Sequence, residues 1–517
     1  MLYKRKVFAG IHIGSCGIRM KIIESNEEYE IKILDYLEHN ILLGKDTYTL
    51  GKISFDTVDK ICEILKGFKQ LLYDYGINDY KAIATNAIRE AENKDYIIDQ
   101  IKLKTGFDID VISNEEENLL IYKSLRNKLP NKNKFKKEGA FIVNIGLGNI
   151  QISGYGENGL AFIQNIKLGS LRMRGVLSSL ESKTLNFTKI LQEYITSNVD
   201  KLKDCWFEGI YENFIVFGRE VDIITKLSKL DDGIKYVKRK DYEKLLMGIL
   251  ERSSRGIRNE HDLLKEKEYT LIPSILTLKI LLNMAGSKRV FIPRTSLTDG
   301  IIVDWIDHYY KTKNKDDFVE DVVSLAKTIG KRYLYDEKHA EDVEKKSLQL
   351  FEQLKGLHGL GNRERLLLRL GAILHDTGKF INMQEHYKHS YHIIKASNLI
   401  GISSEELEII ANVARYHSKV VPQHRHKKFY VLGEKNRVIV GKLIAIIRIA
   451  DGLDRSHKQK IKDMKITLKE KKVIINAFAI ENTLLEEWTF DVKAEFFIEV
   501  FGVTPILKIN RSEGRCI

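Results

Sequence analysis

The chain has 517 residues, of which 43% are hydrophobic and 30% charged, with a formal net charge of +13. That length predicts about three or four domains with their own cores, and the composition is ordinary for a soluble protein. No uncharged apolar run is long enough to span a bilayer, and the start MLYKRKVFAG lacks a signal-peptide apolar region, so a membrane or secreted protein is not expected. The four cysteines (Cys16, Cys62, Cys205 and Cys516) form no CxxC pair, which predicts reduced thiols in a cytoplasm.

Strands are predicted over residues 7–13, 18–24 and 29–40, followed by a helix capped by Ser54 and running to about Tyr75. A strand over 80–85, a helix from about Asp95, a strand over 108–113 and a helix over 115–126 come next. The polar stretch NKLPNKNKFKKEG, residues 127–139, reads as a linker. The same order then restarts, with strands over 140–146, 149–155 and 160–167, helices, and a strand over 214–217. From about Asp316 strand signals vanish and amphipathic helical patterns run to about Ala450. Beyond Lys460, MKITLKEKKVIINAF reads as a hairpin and residues 489–501 as a further strand pair. The predicted domains are therefore 1–127, 138–305, a helical 316–457 and a small α+β tail over 458–517.

The restart carries a repeated motif. FAGIHIGSCGIRMKI and FIVNIGLGNIQISGY each contain an apolar strand, an Ile-Gly step, a small-residue turn and a returning strand. Gly14 and Gly146 let the backbone approach a bulky anion, and the N–H groups that follow can cradle it. One residue before each Ile-Gly step stand His12 and Asn144, neither of them acidic. Two such copies predict an α/β fold with the duplicated, RNase H-like two-lobed architecture of actin and sugar kinases, which binds phosphates between its lobes. Basic clusters over 132–137, 235–240 and 424–428 would attract a polyanion. No recognised nucleic-acid module accompanies them, so no specific nucleic-acid partner is expected.

Five segments together, IHIGSCGIRMKI, ATNAIREAEN, ISNEEENLLIY, VNIGLGNIQIS and IKLGSLRM, resemble the exopolyphosphatase/guanosine pentaphosphate phosphohydrolase (Ppx/GppA) family over nearly the whole length. The resemblance implies a hydrolase of terminal phosphoanhydrides, with inorganic polyphosphate or pppGpp as substrate, and a homodimer, which no residue pattern here shows by itself. It implies that Glu117, with Glu116 beside it as the alternative, activates water. It also implies that Arg89 holds phosphate, and that Gly14, Ser15, Gly146, Gly148 and Asn149 form the two cradles. A carboxylate can take a proton from water while cations offset phosphoryl charge, so these residue types suit the reaction. The family pattern places acids at positions 12, 144 and 151, where this chain has His12, Asn144 and Gln151, and a glycine where it has Leu147. Magnesium favours hard oxygen ligands that include carboxylates, so weak or absent magnesium binding is expected in the cleft. A turn with glycine and threonine is also expected after the strand near Phe217, where Gly218, Arg219 and Glu220 stand instead.

A second constellation lies in the helical segment: His339, the adjacent His375 and Asp376, His389, His417 and Asp451. This order resembles the HD superfamily, and the resemblance implies a divalent metal site, suited to manganese or a similar ion, able to lower the pKa of bound water. His386, His392, His424 and His426 read as surface residues. Three functions follow: an exopolyphosphatase-like hydrolase using the cleft, a phosphohydrolase using the histidine cluster, or a polyphosphate- or alarmone-binding protein without turnover.

Overall fold

The computed structural model describes residues 5–26, 28, 30–129, 132–181, 183–202, 209–227, 236–254, 262–311, 315–423 and 426–511. Cys205, Cys516, Lys235 and His424 lie outside them. The chain divides into two compact units, Met1–Phe318 and Val319–Ile517.

The first unit holds two sheets of matching design. In one, β1 (Lys6–Gly14), β2 (Gly17–Ser25), β3 (Ile31–Asn40), β4 (Tyr80–Ala84) and β5 (Asp110–Val111) lie in the order β3-β2-β1-β4-β5. In the other, β6 (Ala140–Ile145), β7 (Ile150–Gly156), β8 (Gly159–Ile166), β9 (Asn213–Phe217), β10 (Tyr236–Lys238) and β11 (Arg289–Phe291) run β10-β11-β9-β6-β7-β8. β1 pairs antiparallel with β2 and parallel with β4, just as β6 pairs with β7 and β9. The repeated hairpin is thus the centre of each lobe. Both faces of β1 and β6 are covered, so burial along them is nearly continuous rather than alternating. Ile11, Ile13, Ile18 and Met20 join one core, and Phe141, Val143, Ile150 and Ile152 the other.

Helix Phe55–Asp74 is capped by the Ser54 side chain, as its sequence predicts. The stretch expected as a linker instead contains the helix Lys132–Glu138, because Phe135 is buried and anchors it against Phe291. Helix Leu297–Tyr309 follows the second sheet in sequence but packs on the first: Trp305 stacks on Phe8 at 4.4 Å, and Lys123 reaches Asp304 at 2.6 Å. The change of lobe therefore precedes residue 305, the boundary drawn from sequence.

In the second unit the described residues from Val319 to Gly452 form helices and connecting turns. A three-stranded sheet follows, β12 (Ile461–Lys469), β13 (Lys472–Ala479) and β14 (Thr504–Arg511), ordered β12-β13-β14. Residues 489–501, expected as strands, belong to the helix Leu484–Phe501. Phe490, Lys493, Ala494 and Phe497 are buried at helical spacing, and Gly502 ends the helix in a left-handed conformation. No described helix is long and apolar enough to cross a membrane.

Candidate functional site

The lobes enclose a cleft of about 320 Å³ whose walls include both Gly loops, at Gly14–Ser15 and Gly146–Gly148, together with Glu117. Glu117 stands in the first turn of the helix Asn114–Lys128, and the start of this helix separates its acids. Ser113 and Glu116 form a reciprocal capping box, with Glu116 accepting the Ser113 N–H at 2.9 Å. Glu116 is thereby held at the helix end, on the exposed side, and does not line the cleft. Glu117, with its side chain 16% exposed, faces inward. Burial pushes its carboxyl above the ordinary range, against the pull of the Arg89 guanidinium.

Arg89 is not a wall residue of the cleft. It donates to Glu117 Oε2 at 3.0 Å, Asn114 Oδ1 at 2.6 Å, Ile112 O at 2.7 Å and Asn86 Oδ1. Arg89 thus holds the Glu117 carboxylate in place from beside the cleft wall.

The loops are occupied by protein groups. Ser15 Oγ hydrogen-bonds Tyr48 Oη at 2.8 Å, and the Gly146 N–H bonds Asn149 O at 3.0 Å within its own turn. Tyr48 Oη lies so close to Gly148 that a Cβ there would be 2.0 Å away. Asn149 donates to Asn86 Oδ1 at 2.9 Å. Leu147 is buried with Cys16 and Leu171, joining the loops by an apolar contact where the resemblance placed a glycine. Position 12 is also altered chemically. Burial, followed by the nearby Arg19, lowers the His12 imidazole to about 3, so it is neutral at pH 7. Charge in the cleft comes instead from Arg19, which pairs with Glu38 at 2.9 Å, and from Arg219, Lys226, Glu220 and Asp222.

In the second unit a buried histidine and aspartate cluster assembles from several helices. His339 Nε2 lies 3.3 Å from His375 Nε2 and 3.2 Å from Asp451 Oδ1. Asp376 Oδ2 is 3.3 Å from His375 Nε2, while its Oδ1 is 3.3 Å from His386 and 3.4 Å from His417. His386 and His417 approach each other at 3.3 Å through Nε2. Each ring is turned by an acceptor on its other nitrogen. His375, His417 and His386 donate from Nδ1 to the carbonyls of Ala372, Ala414 and Met383, and His339 donates to Asp454 Oδ2 at 2.8 Å. Four Nε2 atoms therefore converge on two carboxylates, the arrangement that supporting acceptors impose on metal-binding imidazoles. Asp376 Oδ1 is buried without a hydrogen-bond donor. Burial opposes the charge on Asp376 and Asp451, but surrounding cations and imidazoles hold both well below the usual carboxylate range.

These residues fit a divalent metal, in two overlapping groups: His339, His375 and Asp376, and Asp376, His386 and His417. Two lysines share the carboxylates, Lys379 on Asp376 Oδ2 at 2.5 Å and Lys493 on Asp451 Oδ2. One sequence expectation is corrected here: His386, not His389, joins the cluster. Gly378, just after the His-Asp pair, sits against His386 O so closely that a Cβ would be 2.0 Å from it, which brings the first residue of helix His386–Lys395 to Asp376. His389, one turn on, neighbours Glu385 and His392. Sequence reasoning also missed Asp454, fully buried behind His339, although its place three residues after Asp451 put it one helical turn from a predicted ligand.

Duplicated lobes around an acid-bearing cleft define a two-lobed fold of the actin type. Known proteins of similar sequence and fold agree. Residues 22–148 match the Ppx/GppA phosphatase family, and residues 324–492 match Ppx/GppA phosphatase, domain III. The chain belongs to the Ppx/GppA phosphatase family. It is 21% identical over 499 residues to a guanosine-5'-triphosphate,3'-diphosphate pyrophosphatase of Aliivibrio fischeri (strain MJ11), covering 93% of this chain and 92% of that one. To the protein of the same name from Vibrio atlanticus (strain LGP32) it is 20% identical over 422 residues, 79% of this chain and 80% of the relative. Among solved structures, an exopolyphosphatase from Cytophaga hutchinsonii ATCC 33406 superposes with a TM-score of 0.51 at 17% identity, covering 59% of this chain and 98% of that one.

Proposed function

We propose that this protein hydrolyses the terminal phosphoanhydride bond of inorganic polyphosphate or pppGpp in the cleft between its lobes, with Glu117 as general base. The observation that carries this reading is the inward-facing, largely buried Glu117 carboxylate, fixed by Arg89 while Glu116 is consumed by the helix cap. Glu117 takes a proton from water as the water oxygen bonds to the terminal phosphorus. The bridging P–O bond breaks, releasing orthophosphate and a chain shorter by one phosphate. Arg219 and Lys226 line the cleft and supply positive charge for the substrate's negative oxygens. Phosphate release from polyphosphate and from pppGpp, measured with magnesium and with manganese, tests this. Glu117→Gln is expected to abolish release, and an unchanged rate would overturn the assignment.

A second reading rests on the convergent Nε2 atoms of the second unit. There His339, His375, Asp376, His386, His417 and Asp451 would hold a divalent ion in an HD-type site, and that ion would supply a lowered pKa to bound water. This centre is the working one if His375→Ala with Asp376→Ala removes phosphate release while Glu117→Gln does not.

A further inference from the structure

A side chain outside both loop motifs, Tyr48 of the helix Leu43–Leu50, reaches both of them. Tyr48 Oη lies 2.8 Å from Ser15 Oγ in the first Gly loop. It also abuts the second loop: a Cβ on Gly148 would be 2.0 Å from the Tyr48 oxygen, so only glycine fits there. The ring is fixed from the opposite lobe. Arg172 of the helix Ser170–Glu181 lies over it at 4.3 Å, and the same guanidinium donates to Gly148 O at 2.8 Å and to Glu90 Oε1 at 2.7 Å. The Gly44 N–H donates to Ser15 O at 2.8 Å, which ties the start of the Tyr48 helix to the first loop. Leu42 and Tyr48 pack against the apolar contact of Cys16, Leu147 and Leu171.

These surroundings decide which hydroxyl donates. Ser15 Oγ is the one hydrogen-bond partner of Tyr48 Oη among the described residues. A phenol proton enclosed in this way needs an acceptor, and a serine hydroxyl can accept one hydrogen bond while donating another. Burial pushes the Tyr48 hydroxyl up to about 12, so it keeps its proton at pH 7. With Tyr48 donating, the Ser15 proton has no acceptor among the described residues, and Ser15 lines the cleft. Each hydroxyl in such a chain polarises the next, which makes the serine proton a better donor. We propose that Tyr48 is a positioning residue of the cleft: its hydroxyl donates to Ser15 Oγ and thereby turns the Ser15 proton toward a phosphate oxygen of the substrate. This rests on the cleft reading of the preceding section and adds to it a residue that acts through another.

The competing role is a purely structural tie between the loops. Tyr48→Phe separates the two, because it keeps the ring, the Arg172 contact and the apolar packing and removes only the hydroxyl. Ser15→Ala likewise deletes one oxygen atom, so the Tm of each single variant is expected to stay near that of the wild type.

Titration calorimetry of the full-length protein with methylene-bridged diphosphonate, whose P–C–P unit is not hydrolysed, tests the proposal in a double-mutant cycle. Ser15→Ala is expected to weaken binding about 10–100-fold, as the loss of a hydrogen bond to a charged group does. Tyr48→Phe is expected to weaken it about 3–10-fold, the size of one neutral hydrogen bond. Added to Ser15→Ala, Tyr48→Phe should cost nothing more, because its effect passes through the serine hydroxyl. A structural tie would instead weaken binding by the same factor in either background. The analogue is not cleaved, so the cycle does not depend on Glu117: loss of the Glu117 mechanism leaves it readable, and an additive cycle leaves the Glu117 assignment untouched. Wild-type affinity in Tyr48→Phe or in Ser15→Ala, an additive cycle, or no binding of the analogue by the wild type would overturn the proposal.

Discussion

Arg89 and Glu117 form a 3.0 Å ion pair in which both side chains are largely withdrawn from solvent, at 15% and 16% exposure. Burial raises the Glu117 carboxyl above its ordinary 4.5, and Arg89 opposes that rise. A general base works only when deprotonated, so kcat/KM should fall as pH drops through a limb that lies above 4.5. Replacing Arg89 with Gln removes the opposing charge and is expected to move the limb to higher pH, with Arg89→Lys restoring part of the displacement. The pH–rate profiles of the three proteins check this. Linkage has the matching sign: a carboxyl raised by folding favours the fold below its unfolded pKa and ceases to do so as pH rises through its folded pKa.

The ligand assignment in the second unit separates two histidines three residues apart. His386→Ala is expected to weaken manganese binding by well over about tenfold, whereas His389→Ala should leave it unchanged. Asp454→Asn, which loosens the orientation of His339, should cost about 10–100-fold in affinity. Calorimetry with manganese on the wild type and the three variants decides this, and equal losses for His386 and His389 would contradict the assembled cluster.

Gly218 and Gly67 offer opposite outcomes for one chemical change. At Gly218 an added Cβ meets a backbone carbonyl at 2.2 Å and the residue holds φ 125°, so Gly218→Ala should destabilise the protein by about 1–3 kcal/mol or more. Gly67 lies inside the helix Phe55–Asp74 with nothing within 4 Å of the added atom. Gly67→Ala should therefore stabilise by about 0.5–1 kcal/mol. Denaturant midpoints give both signs, provided unfolding is two-state in the region probed.

The duplicated lobes were legible because glycine-turn hairpins repeat a short local pattern, and register and burial then follow from it. Glu117 was named through the family resemblance, whereas the capping box that claims Glu116 and leaves Glu117 facing the cleft required coordinates. His386 was not separable from His389 by pattern, because both lie on one face of a helix and the choice depends on how closely Gly378 lets that helix approach. The helix Leu484–Phe501 was misread because its apolar residues surround much of its girth, which blurs the helical period. Glu220 looked like the loss of an expected turn, and its full burial after β9 was not visible in the sequence. Leu147 was visible as a bulky residue in a phosphate loop, but its contact with Cys16 and Leu171 across the loops required coordinates.

Whether Glu117 is the base is decided by single-turnover phosphate release from polyphosphate and pppGpp, comparing the wild type with Glu117→Gln in the presence of magnesium. Loss of a positioned general base predicts a fall of about 10²–10⁴-fold in the variant, with the fold and substrate binding retained. Release by Glu117→Gln at the wild-type rate would remove Glu117 from the chemistry.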